Sequence, residues 1–245
     1  MKKMKKIAAM ILAGAMLVSS TGCSMVANEV IDAVVEKNLG SKTMTLIQGN
    51  LDAVYKGIIS EEYLELLTDD STVEQAYQET MESEADFFAY YWGIYDSEYG
   101  ESYEDLSEDI REEILELCKD IFARTKYEVL ESTALSEGSY SVKVSIEPSN
   151  IMKQAEEMYD RYDDLEAFFE KYQYVNFDDM SKEEYDQFTN EYAEIIIQMF
   201  RELLQEVKYQ DAKTQLIQLD EDEDGLLIIN DDDWIRVNET LVYYP

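Results

Sequence analysis

Two spacings of apolar residues alternate along this chain, and they predict helices in some stretches and strands in others. Leu46, Ile47, Leu51, Val54, Tyr55 and Ile58 recur at three- and four-residue intervals, which predicts an amphipathic helix. A shorter run with the same spacing, Val26, Val30, Val34 and Val35, precedes it, and Gly40 is expected to interrupt the two. Ser71 with Glu74 has the form of a capping box, so a helix should follow through Val73, Ala76, Tyr77, Met81, Phe88, Tyr91 and Trp92. Leu106, Ile110, Ile114, Leu117, Cys118, Ile121 and Phe122 make a further helical stripe. The period then falls to two. Tyr140, Val142, Val144 and Ile146 alternate with Ser141, Lys143, Ser145 and Glu147. With Tyr127, Val129 and Leu130 across the turn at Ser136 to Ser139, they predict a hairpin that Pro148 ends.

Helical spacing returns from 149 to 173, read as one helix, and again from Tyr185 to Val207 behind a second capping box at Ser181 and Glu184. Thr214, Leu216, Ile217 and Leu219 then lead into an acidic turn, and Leu226 to Ile229 return from it. Asn230 to Asp233 read as a turn or bulge, after which Trp234, Ile235 and Val237 continue as strand and Leu241 to Tyr244 finish the chain. The predicted fold is α+β: amphipathic helices packed on an antiparallel sheet of two hairpins, about four strands. The helix at 185–207 is expected to lie across that sheet. Residues 43–245 are read as a single domain.

The opening of the chain changes the picture. Lys2, Lys3, Lys5 and Lys6 precede twelve apolar or small residues, Ile7 to Val18, and then Ser19-Ser20-Thr21-Gly22-Cys23. A basic start, a short apolar run and small residues are the pattern of an export signal. That run is too short for a bilayer core, which needs about 20 residues. The Gly22-Cys23 ending resembles the lipobox of bacterial lipoproteins, with Ser20 where leucine is usual. The resemblance implies cleavage after residue 22, lipid attachment at Cys23, a tether over 23–42, and a domain held on the outer face of the cytoplasmic membrane. Without the lipobox, the chain would be secreted.

Charge narrows the partners. The chain holds 55 acids against 20 lysines and arginines, a net charge of -35. Removing residues 1–22 removes four lysines and no acid, leaving 16 - 55 = -39. Such a surface repels nucleic acid and anionic lipid headgroups. The plain account of the acid is solubility; the sharper one is attraction of a divalent metal or a cationic partner, such as a cationic peptide or envelope protein, whereas a small apolar ligand would need a pocket. A hydrophobic share of 46% with 19 tyrosines places the chain among packed folds, not acidic disordered tails. There is no histidine, which removes the commonest general base and zinc ligand. Beyond Cys23 the remaining cysteine, Cys118, falls on an apolar stripe and reads as a small buried hydrophobe.

The strand Tyr140 to Ile146, the Asp224-Gly225 turn and Asp233-Trp234-Ile235 resemble nuclear transport factor 2-like domains, and many lipoproteins of Gram-positive gut bacteria share this pattern. The resemblance implies a curved sheet around an apolar pocket. Phe88, Tyr91, Trp92 and Trp234 are the candidate lining, although aromatics on several faces of a helix read first as core. The sequence marks no acid–base set for that pocket, and no cofactor is expected. The favoured function is therefore non-catalytic binding, with a carboxylate- and tyrosine-based enzyme as the alternative. A third reading is calcium binding. Asp220, Asp222, Asp224 and Gly225 fall at positions 1, 3, 5 and 6 of an EF-hand loop, with Asp231 at position 12. An acidic hairpin turn is the plainer account of the same residues.

Overall fold

A computed structural model describes residues 36–67, 73–95, 102–136, 138–221 and 227–245. Cys23, the export signal, the Ser71 capping position, Asp222, Asp224 and Gly225 lie outside the described residues.

The helices are α1 (Glu36–Lys56), α2 (Glu61–Leu64), α3 (Val73–Tyr91), α4 (Glu108–Phe122), α5 (Ile151–Tyr159), α6 (Asp163–Tyr172), α7 (Lys182–Leu203) and α8 (Asp231–Leu241). The strands are β1 (Lys126–Ser136), β2 (Ser139–Glu147), β3 (Lys213–Glu221) and β4 (Leu227–Ile229). They form one antiparallel sheet in the order β1-β2-β3-β4. The α+β plan and the two hairpins are therefore as the periodicity predicts.

Alternation on β2 and β3 decides which face of the sheet is covered. Val142, Val144, Ile146, Ile217 and Leu219 are fully buried, while Leu216, paired to Lys143 on the opposite face, is exposed. The buried face meets α1 over β1 and β2, and α8 over β3 and β2. Polar contacts fix α1 on the sheet. Tyr127 donates its hydroxyl to Asp52 Oδ1 at 2.7 Å, and the hydroxyls of Thr43 and Ser132 lie 2.7 Å apart. Helices α3 and α4 pack against each other and against α1, and α7 packs on α4, α5 and α6.

Four expectations are corrected. Gly40 does not interrupt a helix, because it lies within α1, where a Cβ would make only ordinary contacts with Ser132. The stretch 149–173 is two helices. A turn at Arg161 and Tyr162 separates α5 from α6, and Asp163 and Asp164 supply the acidic first turn of the second. The end of the chain is a helix, not a strand. Asn230 accepts the Asp233 amide at its side chain, three aspartates occupy the first turn, and Trp234, Val237 and Leu241 form the buried stripe. Finally, α7 does not lie across the sheet. Ile196, Ile197, Met199 and Phe200 are fully buried, but chiefly against other helices.

The Ser181–Glu184 capping box is present, with Ser181 accepting the Glu184 amide and Glu184 accepting the Ser181 amide. One glycine permits a close approach. Gly49 on α1 lies under the Tyr63 ring, where an added Cβ would sit 2.2 Å from ring carbon Cδ2. Tyr63 in turn donates to Asn50 Oδ1 at 3.1 Å, which ties α2 to α1.

Candidate functional site

Phe88, Tyr91, Trp92 and Trp234 are the candidate pocket lining, with core as the first reading of the helix aromatics, and the structure puts three of the four in the core. Phe88 meets Phe200 edge-on with ring centroids 4.9 Å apart, and Trp92 meets the same ring at 5.2 Å. Trp234, on α8, instead stacks near Tyr55 at 6.0 Å. Tyr91 is half-buried, packs on Tyr244 at 4.9 Å and donates its hydroxyl to Glu156 at 2.8 Å. Phe88, Tyr91 and Trp92 thus form one cluster with Phe200 and Tyr244, while Trp234 packs apart from them on Tyr55.

The core does contain a carboxyl that the sequence reading passed over. Glu84, on α3 between Met81 and Phe88, is only 6% exposed. Burial raises its pKa from 4.5 to about 8, and a hydrogen bond from Asn238 on α8 opposes that rise. Tyr55 and Cys118 lie near enough for the Glu84 charge to add to the increase that burial imposes on them. The Tyr55 hydroxyl is buried without a hydrogen-bond partner. A neutral acid in such surroundings holds a proton at neutral pH. The Cys118 thiol is likewise held protonated, so it is not an activated nucleophile. The other buried acid, Asp233, accepts the Gln218 amide at 2.8 Å and pairs with Arg236. Glu84 and Asp233 thus have different partners, Asn238 for the first and Gln218 and Arg236 for the second.

Of the calcium candidates, Asp220 accepts the Ser139 hydroxyl at 2.5 Å and the Gln218 side-chain amide at 2.9 Å. Asp231 opens α8. Among the described residues no group of three or more acids and cysteines is arranged to hold a metal ion.

Surface chemistry concentrates at the corner where α6 turns into α7. Tyr174 is 90% exposed, Phe169 49% and Phe177 46%, with Val175 also exposed. Phe169 and Phe177 continue a row of packed rings. Phe177 meets Phe188 at 5.0 Å, Tyr172 meets it at 4.8 Å, and Phe168 meets it at 5.0 Å. Beside the row is an open cavity of about 500 Å³, lined by Tyr172, Val175, Met180, Asp179, Glu184 and neighbours. A second, lined by Glu183, Asp186, Glu191 and Glu194, adjoins it through Lys171. From 163 to 194 the chain carries eleven acids and two lysines. One of the lysines, Lys171, is bound to Glu191 at 2.6 Å and holds that carboxyl below its usual range. The sequence signal for this corner was the run Tyr174-Val175-Asn176-Phe177, apolar residues in a stretch with no regular period.

The fold defined by these elements is an α+β domain with helices on one face of a four-stranded antiparallel sheet. A solved structure with a similar fold is that of a lipoprotein candidate, ycdA, from Bacillus subtilis subsp. subtilis strain 168. The TM-score is 0.53 at 13% sequence identity, and the match covers 86% of this chain and 61% of that one. No protein-family profile matches the chain, and no curated protein matches it. Among the described residues no helix is long and apolar enough to cross a membrane.

Proposed function

We propose that this chain is a lipid-anchored protein of the outer face of the cytoplasmic membrane, and that it acts by binding and not by catalysis. The observation that carries the second half is the use of Phe88, Trp92 and Trp234 as core, which leaves exposed aromatics and acids at the α6–α7 corner as the recognition chemistry. The first half is supported by the Lys2 to Cys23 pattern and by the fold shared with the Bacillus subtilis lipoprotein candidate. In this reading the sheet and its covering helices follow a nuclear transport factor 2-like plan in which side chains fill the pocket. Its support is the antiparallel sheet faced by helices on one side.

The lipid on Cys23 supplies the membrane affinity, because acyl chains contribute about 0.8 kcal/mol per buried CH₂ and the acidic domain is repelled by anionic headgroups. Replacing Cys23→Ala should move the protein from the membrane fraction to the soluble one. A variant that still sediments with membranes after a high-salt wash would refute the anchor.

A further inference from the structure

We infer that the aromatic shelf at the α6–α7 corner docks a cationic segment of another protein that also carries apolar side chains. The inference rests on the binding reading above and names the partner's chemistry. Three features of the corner carry it. The exposed rings Phe169 and Phe177 sit on a floor of packed rings, with the exposed Tyr174 between them in sequence, so an occupant buries apolar area on a surface already held in place. The floor comes from two helices, since Phe168 of α6 stacks on Phe188 and Tyr192 of α7. The rim is mainly acidic: Asp179, Glu183, Glu184 and Asp186 line the adjoining cavities, and the lysine that lines both, Lys171, is already paired with Glu191.

Charge selects among occupants. A second copy of a chain at -35 brings the same acidic rim to the contact and is repelled. Nucleic acid and an anionic bilayer are repelled for the same reason. A wholly apolar ligand leaves the acids unused. A basic segment with apolar side chains satisfies both features: its ammonium or guanidinium groups meet the rim, and its apolar groups cover the rings. Tyr174, almost fully exposed, also offers a ring face to a cation.

The test uses the full chain in zwitterionic lipid nanodiscs and two short synthetic peptides of equal positive charge. One alternates lysine with tryptophan and leucine, and the other alternates lysine with serine. Binding is followed by fluorescence anisotropy. The apolar lysine peptide should bind about tenfold more tightly than the serine peptide, and a variant carrying Tyr174→Ser and Phe177→Ser should remove that difference. A second variant, Asp179→Asn with Glu183→Gln and Asp186→Asn, should weaken both peptides by about tenfold and flatten the dependence on salt. A control that removes three acids of α3, Glu74→Gln and Glu82→Gln at exposed positions with Glu79→Gln at a half-buried one, should leave both affinities within about twofold. Equal loss in the control, or an unchanged peptide preference after the ring substitutions, would overturn the shelf. So would sedimentation showing a dimer that the ring substitutions dissociate, since a second copy would then be the occupant. Cell fractionation of the Cys23 variant reports on the anchor alone, so the two readings fail separately.

Discussion

Glu84→Gln should change how stability depends on pH. The folded chain keeps a proton on Glu84 up to about pH 8, because ionising a carboxyl buried among Tyr55, Cys118 and Phe88 removes a charge from water. In the unfolded chain the same carboxyl ionises near its ordinary 4.5. Between those values the folded state holds more protons than the unfolded one. Stability from this group is therefore complete below pH 4.5 and is lost as pH rises towards 8. At 1.36 kcal/mol per pH unit, the interval from about pH 5 to about pH 8 amounts to about 3 × 1.36, or about 4 kcal/mol. That is an upper figure, since a core that ionises relaxes around the charge. Glutamine keeps the shape and can accept from Asn238, but has no proton to lose. Urea unfolding followed by tryptophan fluorescence, at a series of pH values, should show the wild type weakening with rising pH more steeply than Glu84→Gln. The variant should be the more stable of the two at about pH 8, by up to about 4 kcal/mol. The whole-chain charge of -35 tilts both curves alike, so the difference between them isolates this group. Parallel curves for the two proteins would refute the buried, protonated carboxyl.

Gly49→Ala tests the close approach of α2 to α1. Alanine favours a free helix by about 1 kcal/mol, yet here its methyl would meet the Tyr63 ring, so a net loss of about 1–3 kcal/mol is expected. Placing the same change in a Tyr63→Ala background should reverse its sign, and a loss that persists there would remove Tyr63 from the explanation. Ile196→Ala should cost about 2–5 kcal/mol in the denaturation midpoint, because the side chain is fully buried between helices. An unchanged midpoint would take α7 out of the core.

Where one signal acted alone, the sequence was a good guide. The strict alternation of Tyr140 to Ile146 marked β2, and Ser181 with Glu184 marked the start of α7. The closing segment misled because its first residues carry two meanings. Asn230 and three aspartates suit a turn, but they equally suit an N-cap and an acidic first turn, and the later spacing Trp234, Val237, Leu241 belongs to a helix. The break between α5 and α6 was hidden because buried residues continue on both sides of it. Where α7 packs was not legible at all, since an apolar stripe says that a face is covered and not by what. Glu84 was visible in principle. Three residues after Met81 and four before Phe88, it stands on the apolar stripe of α3, where an acid is out of place. The shelf at 169–177 was harder to find, because exposed rings and buried ones look alike in sequence until their neighbours are known.

The stacking of Trp234 on Tyr55 joins α8 to α1, the last and first helices among the described residues. Val242 extends this closure by bridging to Ser149, and the Ser149 amide donates to the Leu241 carbonyl at 3.0 Å. The sheet face under α1 and α8 is thus sealed by residues that leave the ribosome early and late. A growing chain lacks α8 until every other described element has been made, so the long-range contacts that reward this loop closure come after the rest. Export through a narrow channel needs a chain that has not yet folded. If the chain is exported as proposed above, an architecture that latches α8 onto α1 leaves the sheet face incompletely covered until α8 has followed the rest.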